Sequence, residues 1–160
     1  MSNDIESGRL KFAGYRIGDT FCLSPSTGLL AMDFVPKELV QVPGTKAWLL
    51  GVGKLGRDLI PFINISRLLS IPRSDAPANQ LTALFVKGSP EVGNIAVVVD
   101  ETVEFVPSGD LRDVSDSTMK IPPGLGACYC GSVTDGTRTW ALIDLQALVA
   151  DAKIKKIDLT

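Results

Sequence analysis

Residues 51–69 (GVGKLGRDLIPFINISRLL) slide onto residues 131–149 (GSVTDGTRTWALIDLQALV) over a shift of eighty positions without a gap. Gly51 meets Gly131, Gly56 meets Gly136, Ile63 meets Ile143 and Leu68 meets Leu148. Four identities in nineteen positions are weak as a count. Their places carry more weight: a turn glycine, a strand core and a helix core. Asn64 meets Asp144 just before an apolar run, where a side-chain oxygen can cap the free N–H groups of a helix. The shared unit reads as strand, turn, strand and short helix. Two copies of one small β unit point to two small barrels rather than one large sandwich. A fainter echo sets residues 29–33 (LLAMD) beside 96–100 (AVVVD).

The rest of the chain fits that unit. Fifteen glycines and ten prolines punctuate short β-branched and aliphatic runs, the pattern of an all-β protein. Strands are expected at 15–17, 20–23, 50–55, 57–64, 81–87, 94–100, 103–106, 127–133 and 137–144. Two short helices follow the caps, at 65–69 and 145–152. Residues 70–79 (SIPRSDAPAN) read as an exposed connection. Residues 107–126 form a second irregular stretch, long enough to be functional or to hide a helical turn.

Composition removes several functions. The chain has no histidine, which excludes Ser-His-Asp and Cys-His catalysis and leaves zinc chemistry little to work with. Sixteen basic against eighteen acidic residues is too balanced for a nucleic-acid or membrane-surface protein. Phe12, Tyr15, Phe21 and Trp48 have few lysines between them, so no basic stacking stripe forms. The start, Met1 to Glu6, is polar and acidic and lacks the pattern of a signal peptide. The longest apolar runs, such as 95–99, fall far short of the ~20 residues of a membrane helix. Three cysteines, an odd count, fit reduced thiols in a cytosol better than a disulfide framework.

Single motifs are weak. Gly51-Val52-Gly53-Lys54-Leu55-Gly56 matches GxGxxG, but a strand pattern with Pro61 follows it instead of the helix that would receive a pyrophosphate. Cys128-x-Cys130 places two thiols on one strand face by period-two alternation, and buried structural thiols are the simpler reading. Lys153, Lys155 and Lys156 read as the solvated end of a terminal helix. Carboxylates are scattered singly, so no acid–base pair emerges. No catalytic residue, cofactor loop or metal set is expected.

The stretch 43–69 resembles the signature of CheW-like domains. There a Pro-Gly precedes a strand running into Gly-Val-x-Asn-Leu-Arg-Gly, then a Pro, an Asp-Leu and a short helix. Pro43-Gly44, Gly51-Val52, Leu55, Pro61 and Leu68-Leu69 stand in place here. Residues 96–106 resemble the family's Val-Asp-x-Val strand, and 140–150 its closing strand and helix. Val42-Pro43-Gly44, Lys46 and Trp48 also look like the PilI branch that serves type IV pili. Two departures stand out. Asn-Leu-Arg-Gly reads Lys54-Leu55-Gly56-Arg57, with the last two residues transposed, and Asp-Leu reads Asn64-Ile65.

The resemblance implies two intertwined, five-stranded, SH3-like barrels making one CheW-like domain over 12–150. One barrel covers about 25–100, the other about 12–24 plus 101–150, with tails at 1–11 and 151–160. It implies a cytoplasmic, non-enzymatic adaptor between a methyl-accepting chemoreceptor tip and a CheA-type histidine kinase, in chemotaxis or twitching motility. No nucleic acid, membrane insertion or cofactor is implied. The partner-facing positions map onto Ala31, Gly51, Val52, Leu55 and Arg57. Gly51 is expected where a partner helix approaches the backbone, and Arg57 at the rim of the binding groove. From the residues alone, a homo-oligomeric or nucleic-acid-binding small barrel without a kinase partner, or a thiol enzyme, stays open.

Overall fold

The computed structural model describes residues 10–44, 46–72, 81–88, 90, 93–114 and 119–150. Eleven strands run through them: β1 (Lys11–Ile17), β2 (Thr20–Pro25), β3 (Leu29–Phe34), β4 (Leu49–Leu55), β5 (Asp58–Asn64), β6 (Thr82–Val86), β7 (Ile95–Val99), β8 (Glu101–Pro107), β9 (Arg112–Asp113), β10 (Tyr129–Thr134) and β11 (Thr139–Ile143). Two short helices, α1 (Ile65–Leu68) and α2 (Leu145–Val149), follow β5 and β11. The strands form two sheets, ordered β8-β1-β2-β11-β10-β9 and β3-β6-β7-β5-β4.

The repeat governs this architecture to the residue. In β4–β5 the register slips between Leu49 and Gly51, and in β10–β11 it slips between Tyr129 and Gly131. These are the same positions shifted by eighty, so each copy carries one bulge on a glycine at positive φ. Each copy then lays its second strand parallel to a strand from elsewhere: Phe62 opposite Ala96 in one, Leu142 opposite Leu23 in the other. Both caps form. Asn64 Oδ1 accepts from the Arg67 amide at 3.1 Å, and Asp144 Oδ1 from the Gln146 and Ala147 amides at 3.0 and 3.2 Å.

Several expectations need correcting. The echo of 29–33 with 96–100 does not hold: β3 is an edge strand and partly exposed, while β7 is central and buried throughout. β3 itself and the two-residue β9 lay outside the predicted strands, and β9 raises the first sheet to six strands instead of five. Helix α1 ends one residue earlier than expected. The Ile71 amide bonds back to Ser66 O at 2.8 Å and the Ser70 amide to Arg67 O at 3.3 Å, closing a Schellman turn with Ser70 at φ 56°. The expected connection over 70–79 lies mostly outside the described residues, as do the three tail lysines and the last two residues of the second predicted helix. The irregular stretch 107–126 holds two 3₁₀ turns, Ser108–Asp110 and Pro123–Leu125.

Three apolar clusters hold the sheets. The largest draws Tyr15 and Ile143 from the first sheet, Leu84 and Val97 from the second, and Leu68 and Leu148 from the helices. It lies between the two sheets, so neither sheet has this core without the other. One smaller cluster, around Phe62 and Phe85, belongs to the second sheet, and another, around Leu23 and Trp140, to the first. Polar groups at the seam are satisfied. Tyr15 OH pairs with Ser24 Oγ at 2.7 Å, and Ser24 Oγ donates to Ile143 O at 2.6 Å. The buried Arg16 donates to Glu101 at 2.7 Å and to Gly18 O at 2.6 Å. A charge removed from water needs such compensation.

Candidate functional site

Where the chain leaves the first sheet for the second, the 3₁₀ turn Ser26–Gly28 links β2 to β3. A groove of about 380 Å³ opens beside it, within the range of ligand and side-chain pockets. Phe12, Pro25, Leu142 and Leu145 make its apolar walls, with Thr27, Cys130 and Gln146 among its polar lining. Local chemistry explains the arrangement. The Ser24 bond to Ile143 O ties the end of β2 to the end of β11, and the Asp144 amide bonds to Cys128 O at 2.9 Å. The Asp144 cap then starts α2 so that Leu145 and Gln146 face the turn at Gly28.

A second, wider concavity of about 630 Å³ lies between the end of β8 and the β10–β11 hairpin. Its lining mixes signs: Glu104, Asp110 and Asp135 against Arg112 and Arg138. The Arg138 guanidinium sits 3.9 Å above the Phe21 ring and 5.2 Å from the Trp140 ring centre, a cation–π stack. Asp135 accepts from the Thr137 and Arg138 amides at 2.9 and 2.8 Å, and these bonds hold its carboxyl below the ordinary value.

The residues singled out from sequence are dispersed. Ala31 lies opposite Phe85 on β3, and Ala31 and Leu55 both pack on the cluster around Phe62. Gly51 and Val52 are buried beneath the chain's own segment 39–42. The Val40 amide bonds to Val52 O at 3.0 Å, the Val52 amide to Val40 O at 2.8 Å, and Gln41 Nε2 to Leu50 O at 2.9 Å. A Cβ on Gly51 would stand 2.8 Å from Leu39 Cβ and 2.9 Å from Val40 O. The close approach at Gly51 is therefore made within the chain, and the expectation of a partner helix at its backbone is corrected. Arg57 is exposed at the tip of the β4–β5 hairpin, where Gly56 supplies φ +64° to the two-residue turn. It lines neither concavity, so it is not on the rim of the groove described above.

The sequence reading did not place Phe12, Pro25, Thr27, Gly28, Cys130 or Gln146 at a site. The Pro25-to-Gly28 break between two strands was the one local signal for them. Cys130 is a direct correction. Cys128 precedes β10, and the register slips between Tyr129 and Gly131, so period-two alternation does not place the two thiols together. Cys22 and Cys128 are buried and Cys130 is exposed.

Burial pushes the Cys128 thiol up to about 11, and pushes Cys22 and the Tyr15 hydroxyl well above their ordinary values. In each case the folded state favours the neutral form. The folded pKa exceeds the unfolded one, so the stabilisation is full below the unfolded thiol value of about 8.5 and is lost as pH rises beyond it. Urea midpoints should fall steadily between roughly pH 8.5 and pH 11. A Cys22→Ala variant should flatten the slope. A midpoint constant across that window would contradict the burial of these groups.

The fold and groove define a class: an all-β protein with two packed sheets and an apolar concavity at the crossover between them. The chain belongs to the CheW-like domain family, whose model matches residues 34–153. Its structure is similar to that of the scaffolding protein TtCheW from Thermoanaerobacter tengcongensis. The TM-score is 0.67 at 15% identity, over 90% of this chain and 94% of that one. No curated protein matches the chain in sequence. Among the described residues no helix is long and apolar enough to cross a membrane.

Proposed function

We propose that the chain is a non-enzymatic, cytoplasmic adaptor that couples the tip of a methyl-accepting chemoreceptor to a CheA-type histidine kinase. The groove at the β2–β3 crossover carries this reading. It is apolar and open, and a helical tip can seat one or two large side chains in it. Within one domain over 12–150, the unit of about 25–100 and the unit of about 12–24 plus 101–150 each present a surface. On the first, Ala31 on the edge strand β3 and Leu55 and Arg57 at the β4–β5 hairpin face the partner, while Gly51 and Val52 take part through segment 39–42, which they carry. The PilI-like residues around Pro43-Gly44 favour a type IV pilus pathway.

Titrating the protein with a receptor-tip fragment and with the kinase's regulatory domain, separately and together, tests the reading. A ternary complex is expected, and no binding to either component would overturn it. Arg57 is exposed, so it should tune on-rate and salt dependence. Arg57→Ala is expected to weaken partner binding by less than roughly tenfold, with the loss shrinking in high salt. A hundredfold, salt-insensitive loss would place Arg57 at a buried centre instead.

A further inference from the structure

We infer that the wider concavity, between the end of β8 and the β10–β11 hairpin, docks a second copy of this chain across a two-fold axis. It shares no lining residue with the groove at the β2–β3 crossover, so it stands or falls apart from the receptor contact proposed above.

The charges of this concavity are sorted by wall. Glu104 and Asp110 come from β8 and the 3₁₀ turn after it, Arg112 and Arg138 from β9 and the β10–β11 hairpin. Among the described residues, none of these four side chains makes an ion pair or a hydrogen bond. The acid nearest Arg138 in sequence, Asp135, is spent on two backbone amides and on the Trp140 indole at 3.3 Å. Arg138 is also held in place. Its guanidinium lies over Phe21 and beside Trp140, so it has little freedom left to lose when it meets a carboxylate.

β8 is an outer strand of its sheet, and it is bulged. Val103 and Glu104 together oppose Gly14, between the pairs Ala13–Phe105 and Tyr15–Thr102. The bulge turns Val106 into the core and leaves Glu104 and Phe105 outside together, with Phe105 half exposed. It also twists the free edge, so two copies meet through side chains and not through a continued ladder.

This pattern chooses the partner. A partner of one sign would be repelled by one wall or the other. A two-fold contact needs a patch that is complementary to itself. Opposite signs on facing walls, beside an exposed aromatic ring, meet that need: the acidic wall of each copy lies against the basic wall of the other. The chain's net charge of −2 adds little repulsion between copies.

Sedimentation of the full chain tests the contact. At low salt a monomer–dimer equilibrium is expected, with a Kd below roughly 100 µM. It should weaken at least tenfold in about 0.5 M salt. Glu104→Arg alone and Arg138→Glu alone should each give a monomer, because each sets like charges against one another twice. Mixed in equal amounts, the two variants should pair again, since both contacts then join an arginine to a glutamate. If Arg138→Glu lowers the thermal midpoint by losing its stack, Arg112→Glu takes its place in the mixture. A natural protein that stays monomeric at low salt overturns the inference and leaves this face to a partner of another sequence. A dimer that survives both substitutions overturns it too, as do variants that fail to recover on mixing.

Discussion

Gly51→Ala is expected to lower stability by about 2–6 kcal/mol, while Gly131→Ala, its counterpart eighty positions on, costs about 1–3 kcal/mol. Both glycines sit on the same bulge at positive φ, +152° and +134°, so both substitutions pay the strain of ~1–3 kcal/mol. Only at Gly51 does the new Cβ meet atoms: Leu39 Cβ at 2.8 Å and Val40 O at 2.9 Å, with none within 4 Å at Gly131 among the described residues. Neither neighbour is the free end of a flexible side chain, so overpacking adds another ~1–3 kcal/mol. Gly51→Asp should unfold more readily still, since it buries a carboxylate under segment 39–42. A Gly51 whose backbone faced only a partner helix would instead let that variant melt normally and lose only binding. Urea denaturation of the two alanine variants, with equal m-values, checks the difference. Equal losses at the two positions would mean that segment 39–42 does not cover Gly51.

Modification of Cys130 is expected to abolish receptor-tip binding, a loss of at least roughly hundredfold. Thiolate is the reactive form of cysteine, and burial holds both Cys22 and Cys128 in the thiol state. Cys130 is exposed and lines the groove. A bulky maleimide at pH 7.5 should therefore add to one thiol per folded chain and fill the space a partner side chain needs. Cys130→Ser should bind as the natural protein does and resist the reagent. Labelled protein that still binds the tip would show that the groove is not the receptor contact. Three labelled thiols in the native state would show that the core around Tyr15 opens freely.

The features legible in the sequence were those set by short-range physics. Alternating apolar runs marked most strands, and Asn64 and Asp144 announced the helices because a cap needs only a side-chain oxygen two or three residues from a free amide. The eighty-residue shift predicted paired hairpins whose bulges match to the residue. Gly56 marked a two-residue turn because positive φ there suits glycine. The edge strand β3 was harder to read, since a half-exposed strand lacks a clean alternation.

The groove was decided by tertiary structure alone. Its walls come from Phe12, from Ser24, Pro25, Thr27 and Gly28, and from Cys130 and the run Leu142 to Gln146. They meet because β11 lies parallel to β2, with Ala141 opposite Cys22. A parallel pair has no connecting hairpin to announce it, so nothing local in either strand names its neighbour. The bulge between Tyr129 and Gly131 breaks the alternation on which a buried Cys130 would depend. Gly51 follows the same logic in reverse: the sequence marked it as a place of close approach, and the fold determined that its own segment 39–42 makes that approach. Local patterning sets which residues can form strands, turns and caps, whereas long-range strand pairing sets which of them share a surface.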